Sequence, residues 1–233
     1  MEQFQSGIEA WFQTQHGHRV IHQFREQLRP LTSTIKGESI VQLGLTSTDP
    51  LYSDLSFSSK LVVSNQLSDC PQLIRANYDA LPFENESINT LLIPLSFCER
   101  RIQHWPLDEV DRVLKSMGYV IFFAVNPISL WGLSLHSKKL SFMGKKVSHI
   151  PSLIQLKRAM IKKGYQHYYV NYFYYLPPVR KNISINRLRV IEQMGELFPP
   201  WPAAFYVMVM KKSTLIYPDS VVPAIQAKVT TSF

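Results

Sequence analysis

The sequence predicts an α/β domain, a mostly parallel β-sheet covered by helices on both faces. Three observations lead there. Short apolar runs lack the polar–apolar alternation of a half-exposed strand, which is the pattern of strands buried on both sides. These runs alternate with segments of helical period, as parallel strands require, because each must be joined to the next by a crossover. A chain of 233 residues that is 45% hydrophobic and 18% charged suits one domain with a large core.

Residues 4–31 read as one or two amphipathic helices. Phe4, Ile8, Trp11 and Phe12 form one stripe, Val20, Ile21, Phe24 and Leu28 repeat the spacing, and Pro30 ends the run. The first strand is expected at Glu38–Leu43, followed by Gly44 and a Thr/Ser-rich loop. Further strands are expected at Lys60–Ser64, at Leu73–Ala76 and at Ile88–Leu95, where Pro94 marks the end. A helix fits Leu107–Ser116, with Leu107, Val110, Val113 and Leu114 on one stripe and Gly118 as its cap. Tyr119–Val125 is the most strand-like segment. Pro151–Lys163 reads as a basic amphipathic helix that stops at Gly164. Gln166–Leu176 reads as an aromatic-rich strand, Ile183–Leu197 as a helix and Ala203–Met210 as the last strand.

The net charge is +8, unevenly spread. Residues 1–111 hold 8 Lys/Arg against 14 Asp/Glu, whereas residues 112–191 hold 14 Lys/Arg and no carboxylate. A basic surface of that kind attracts nucleic acid, an anionic membrane surface or an anionic acceptor, or serves only as a solvated face. Cys70 and Cys98 lie far apart without a CxxC pairing, as expected of reduced thiols. The opening residues carry neither a basic leader nor an apolar signal core, so the expected location is the cytoplasm. His18 and His22 lie one helical turn apart near His16. No Cys, Asp or Glu stands beside them at metal spacing, and no metal is expected.

At Asn77–Phe83 (NYDALPF) and Glu109–Gly118 (EVDRVLKSMG) the chain resembles the class I S-adenosylmethionine-dependent methyltransferases. That family commonly reads acidic-x-x-x-Leu-Pro-Phe before its fourth strand and Glu-x-x-Arg-Val-Leu-Lys-x-Gly-Gly before its fifth. Glu109, Arg112, Val113, Leu114, Lys115 and Gly118 keep the second block, with Met117 in place of the first glycine. Asn126-Pro127-Ile128-Ser129 and Phe198-Pro199-Pro200-Trp201 resemble a small bacterial branch of the family. The resemblance implies a three-layer, Rossmann-like sandwich over residues 36–211. Its seven-stranded, mostly parallel sheet has the last strand inserted antiparallel beside Gln166–Leu176. Residues 1–35 then form an N-terminal helical segment packed on the core, and residues 212–233 form a loose tail.

The resemblance also implies where S-adenosylmethionine would bind. The family's loop after the first strand reads acidic-x-Gly-x-Gly-x-Gly, because glycines let the backbone approach the cofactor closely. Here the loop is Gln42-Leu43-Gly44-Leu45-Thr46-Ser47-Thr48. Gly44 and Leu45 line the turn, and Gln42 offers the cofactor's ammonium an acceptor without charge assistance. Asn65, after the second strand, takes ribose hydroxyls or is a plain turn residue. Asn77 stands where an acid reads the adenine amino group, with Tyr78 against the ring and Asp79 as a shifted substitute. Ser96 and Phe97 line the methyl-bearing end. Neutral side chains at Gln42, Asn65 and Asn77 imply weak cofactor binding, micromolar or poorer (about −8 kcal/mol or less favourable).

For the acceptor, Asn126 lies beyond the carboxyl end of the fifth strand, where ligands gather, or only stops that strand with Pro127, and Trp131 and Gly132 follow in a loop able to cover the acceptor site. Methyl transfer from a sulfonium is an in-line displacement in which positioning carries much of the rate, so no catalytic base is assigned. The expected function is methyl transfer to a small or anionic acceptor. The alternative is a methyltransferase-like binding or regulatory protein without catalysis, holding nucleic acid or another anionic partner on its basic surface.

Overall fold

The computed structural model describes residues 7, 9–46, 49–65, 72–95, 102–136, 147, 149–178 and 201–213. Seven strands form one sheet: β1 Gly37–Leu43, β2 Phe57–Ser64, β3 Leu73–Arg75, β4 Ile88–Pro94, β5 Leu114–Val125, β6 Tyr165–Phe173 and β7 Phe205–Lys212. Their spatial order is β3-β2-β1-β4-β5-β7-β6. β1 to β5 pair in parallel. β7 runs antiparallel to both of its neighbours, β5 and β6, as expected.

Strand residues alternate between two apolar clusters, one on each face of the sheet. Ile121, Phe123 and Val125 of β5 join the first, while Val120, Phe122 and Ala124 join the second. β7 does the same, with Val207 and Val209 on one side and Met208 and Met210 on the other. Burial on both sides is the reason these strands read as unbroken apolar runs.

Helices α1 (Gln15–Leu28) and α3 (Leu130–Leu135) cover the first face, and α2 (Leu107–Val113) and α4 (Leu153–Lys162) cover the second. The Thr14 hydroxyl caps α1 by accepting from the Gly17 N–H at 3.1 Å. Phe24 of α1 stacks on Phe123 at 4.4 Å and meets Phe173 and Phe205 edge-on. A 3-10 turn at Arg29–Leu31, with Pro30 inside it, follows the helix. Ser152 and Gln155 form a reciprocal capping box at the start of α4. Past its end, Gly164 turns the chain into β6 with a φ of 84°. The expected helix Ile183–Leu197 and the tail beyond residue 213 lie outside the described residues.

The structure differs from expectation at α2, which ends at Val113 and not at Ser116. Its last carbonyls are taken by the chain leading into β4: Glu86 N–H donates to Arg112 O at 2.9 Å and Ser87 N–H to Val113 O at 3.0 Å. Leu114 is then extended and pairs with Ile88. Met117, not a glycine, takes the left-handed position, with a φ of 63°. Gly118 has a different task. A Cβ there would meet the Asn89 carbonyl oxygen at 2.8 Å, so only glycine allows β5 its approach to β4.

The two motif blocks turn out to be one structural unit. Glu109 Oε1 accepts from Leu81 N–H at 2.6 Å, and both of its carboxylate oxygens accept from the Arg112 guanidinium, at 2.6 and 2.9 Å. Arg112 also donates to Leu81 O, Phe83 O and Asn85 Oδ1. This fork fastens the turn of Leu81–Asn85 to α2 and sets the start of β4.

The Arg112 hydrogen bonds hold the Glu109 carboxyl below the ordinary carboxylate range, with burial opposing and the Leu81 N–H and the Arg112 charge assisting. A lowered folded-state pKa means that the stabilisation is complete above the ordinary range and is lost as pH falls through the lowered value. Glu109→Gln should therefore unfold at lower urea at pH 7, by on the order of 2 kcal/mol for charged hydrogen bonds. The gap between parent and variant should narrow as pH falls below the ordinary carboxylate range. An undiminished gap in acid would show that the charge of Glu109 contributes nothing.

Candidate functional site

β1 and β4 lie side by side, but β1 leads to β2 on one side and β4 to β5 on the other. Strand order thus reverses between them, and the space beyond their carboxyl ends is where open α/β sheets bind ligands. Both strands leave through left-handed backbone. Gly44 (φ 78°) and Leu45 (φ 56°) follow β1, and Leu95 (φ 58°) follows β4. Two buried leucines in a conformation unfavourable for side chains mark this end of the sheet as over-determined by its surroundings.

Gln42 is the penultimate residue of β1, paired with Val62 and Leu92, and is 0% exposed. The left-handed turn brings the chain back over its side chain. Gln42 Nε2 donates to Gly44 O at 3.0 Å and to Leu45 O at 2.9 Å, and its Oε1 accepts from Leu51 N–H at 2.8 Å. Both amide protons are committed to the loop itself. Gln42, expected to accept from a ligand ammonium, staples the loop here, with its Oε1 already taking one backbone N–H.

A second restraint comes from the N-terminal segment. Glu9, in a helical turn at residues 9–12, accepts from Thr46 N–H at 2.8 Å. Arg25 of α1 donates to Asp49 O at 2.9 Å. Among the described residues between β1 and β2, 44–46 and 49–56 hold only turns and bends. Leu51, Tyr52 and Leu55 from this stretch join the cluster beneath α1. Glu9 and Leu51 are therefore the residues that sequence reasoning missed. The available signal was the short distance from Leu43 to Phe57, which leaves little chain for a crossover helix.

On the β2 side the arrangement is more open. Asn65 directly follows β2, and its Oδ1 is buried without a hydrogen-bond partner among the described residues. A buried acceptor without a donor is costly unless a ligand or water supplies one. Asn77 is exposed and its Oδ1 accepts from Asp79 N–H at 3.3 Å, an Asx turn. Tyr78 is buried and belongs to the cluster that includes Leu43, Val63 and Leu81. Ser96 and Phe97 lie outside the described residues.

The residues expected at the acceptor side are also bonded within the chain. Asn126 is buried, its Nδ2 donating to Ala203 O at 2.9 Å and its Oδ1 accepting from Ile128 N–H at 3.4 Å. It ties the end of β5 to the start of β7. Trp131 and Gly132 are in α3, not in a covering loop. The Trp131 indole N–H donates to Leu176 O at 2.6 Å and its ring packs on Trp11 and Phe205. The helix forms because Ser129 caps it through Gly132 N–H, and because Gly132 lets it press on the Asn126-Pro127 turn. A Cβ at Gly132 would lie 2.4 Å from Asn126 O. No group of three His, Cys, Asp or Glu placed to hold a metal occurs among the described residues.

The Gln42 staple makes a sharp prediction. Gln42→Glu would aim a buried carboxylate at two carbonyl oxygens, removing two donors and adding a charge. It should destabilise the fold by about 2–4 kcal/mol. Such a carboxyl has a raised folded-state pKa, so the loss should grow as pH rises from 5 to 8. Thermal unfolding of parent and variant at the two pH values checks this, and a variant as stable as the parent would show that Gln42 does not close the loop.

No protein-family model and no curated protein matches the sequence. Solved structures do match the fold. A methyltransferase dependent on S-adenosylmethionine from Thermotoga maritima superposes with a TM-score of 0.61 at 18% identity, covering 89% of this chain and 99% of that one. One from Archaeoglobus fulgidus gives 0.58 at 15% identity, covering 82% and 94%. Geranyl diphosphate C-methyltransferase from Streptomyces coelicolor, solved with Mg2+, geranyl diphosphate and S-adenosyl-L-homocysteine, gives 0.57 at 14%, covering 84% and 80%. With its strand order and antiparallel β7, the chain has the fold of the class I S-adenosylmethionine-dependent methyltransferases.

Proposed function

We propose that the protein binds S-adenosylmethionine weakly beyond the carboxyl ends of β1 and β2 and transfers its methyl group to a small or anionic acceptor. The orphaned acceptor of Asn65, at a strand end where this sheet order favours a ligand, carries the reading. Bound there, the cofactor supplies a methyl group activated by its sulfonium.

The residues fit one half of that cofactor better than the other. Asn65 Oδ1 would accept from a ribose hydroxyl, and the left-handed turn at Gly44 lets backbone approach a ligand closely. Gln42 carries no charge, and its Oε1 already accepts from Leu51 N–H. The amino-acid half of the cofactor therefore gains little from β1, and affinity should be micromolar or poorer (about −8 kcal/mol or less favourable). On the acceptor side, a pocket of about 390 Å³ opens between Ile102, Gln103, His149, Ile150 and Gln155, beside the starts of α2 and α4. Its work would be to hold the nucleophile in line and away from water, with no side chain required as a base.

Calorimetry with S-adenosylhomocysteine and with methylthioadenosine, which lacks the amino-acid end, tests this directly. The two should bind within about threefold of each other, a difference below 1 kcal/mol. Asn65→Ala should weaken both about tenfold, as for one lost hydrogen bond. Its thermal stability should be unchanged, because Oδ1 has no partner to lose among the described residues. Absence of binding by the parent at millimolar ligand would favour a methyltransferase-like protein without catalysis. An unaffected Asn65→Ala variant would move the ligand elsewhere.

A further inference from the structure

The carboxylate-free segment of the sequence includes α4, and the structure shows how that helix presents its charge. Leu156 and Met160 face the sheet and are buried. Ile154 and Ile161 are 60% and 49% exposed, and Arg158 and Lys162 are exposed beside them. At about 100° per residue, Ile154 and Ile161 point within about 20° of each other, some 10 Å apart along the axis. Lys157 flanks them on one side, and Arg158 and Lys162 flank them on the other. α4 has no carboxylate of its own. The acids of neighbouring α2 are engaged elsewhere: Asp108 pairs with Lys163, and Asp111 with Lys212 and the Tyr165 hydroxyl. Lys157, Arg158 and Lys162 form no ion pair among the described residues.

We propose that the outer face of α4 docks the protein on an anionic lipid surface, with Ile154 and Ile161 entering the headgroup boundary and Lys157, Arg158 and Lys162 meeting the lipid phosphates. Two exposed isoleucines bracketed by cations is the pattern of an interfacial helix, whose binding adds apolar burial to electrostatic attraction. Nucleic acid fits less well. It would engage the cations and leave the isoleucines in water. Stacking platforms are also scarce nearby, because the exposed rings of Tyr168 and Tyr172 already lie against Tyr119 and Tyr206. The pattern is independent of cofactor binding, so either reading stands without the other.

Co-sedimentation of the full chain with vesicles tests the proposal. The protein should pellet with phosphatidylglycerol–phosphatidylcholine vesicles at low salt, remain in solution with pure phosphatidylcholine, and be released by about 0.5 M salt. Ile154→Gln/Ile161→Gln and Arg158→Glu/Lys162→Glu should each lower partitioning about tenfold or more. A polyuridylate oligonucleotide serves as the competing ligand, and the isoleucine variant should leave any binding to it unchanged. All four positions are exposed, so thermal unfolding should match the parent. If the charge-reversed variant misfolds, the salt dependence of the parent still reads the electrostatic part. The idea is overturned if the parent ignores anionic vesicles, if the isoleucine variant partitions like the parent, or if the oligonucleotide binds while vesicles do not.

Discussion

The fork of Glu109 and Arg112 is the interaction on which the rest of the sheet depends. It joins two stretches of chain 27 to 31 residues apart in sequence through four hydrogen bonds to Leu81, Phe83 and Asn85, several of them charge-assisted. By fixing where the chain turns into β4, it also fixes the pairing of Ile88 with Leu114 and ends α2 three residues early. β4 is one wall of the crevice at the switch point, so the register of the crevice is set from the opposite end of the strand. That separation has a consequence. The amino-terminal edge of the sheet can keep its sequence pattern for architectural reasons while the carboxyl edge changes freely.

That division explains what was legible in the sequence. The strands were readable because burial on both faces demands unbroken apolar runs, and every residue of Val120–Val125 in β5 and Phe205–Met210 in β7 is buried. The boundary of α2 was not readable, because Leu114 fits a helical stripe as well as a strand and only the carbonyls claimed by Glu86 and Ser87 decide between them. At the crevice, the loss of an acid at Gln42 was visible, but its meaning was not. A missing charge reads as a weakened ligand contact until the geometry shows both amide protons turned onto the loop. Trp131 and Asn126 carried the same ambiguity. Each is a polar-tipped residue beyond a strand end, and each proves to fasten backbone to backbone.

The β1 loop also shows what can stand in for a crossover helix. Between Leu43 and Phe57 the described residues form no helix, so the sheet face over β1 and β2 needs other cover. α1 and the turn at Leu51–Leu55 supply it, and polar restraints accompany the packing: Glu9 on Thr46 N–H and Arg25 on Asp49 O. The carboxylate of Glu9 takes an N–H just past two left-handed residues, where oriented backbone amides favour an anion. An amino-acid carboxylate arriving at the same turn would have to compete with a group tethered in place. Tethering gives Glu9 an effective concentration that a free ligand reaches only at high dose.

The two sides of the crevice are thus unequal for a physical reason. A side chain that closes a loop must present donors to carbonyls and an acceptor to an N–H, which an amide does and a carboxylate does not. Once Gln42 serves that purpose, an acid at the same position would face two carbonyl oxygens at close to 3 Å with no water to screen it. Restoring the family's acid would break the loop that it was meant to equip. Asn65 is under no such constraint, because its Oδ1 meets no partner among the described residues. Selection on the fold alone would tolerate almost any small residue there, whereas selection on a ligand would keep an acceptor. The crevice therefore has its structural chemistry at the end of β1 and, among the described residues, an unpartnered buried acceptor at the end of β2.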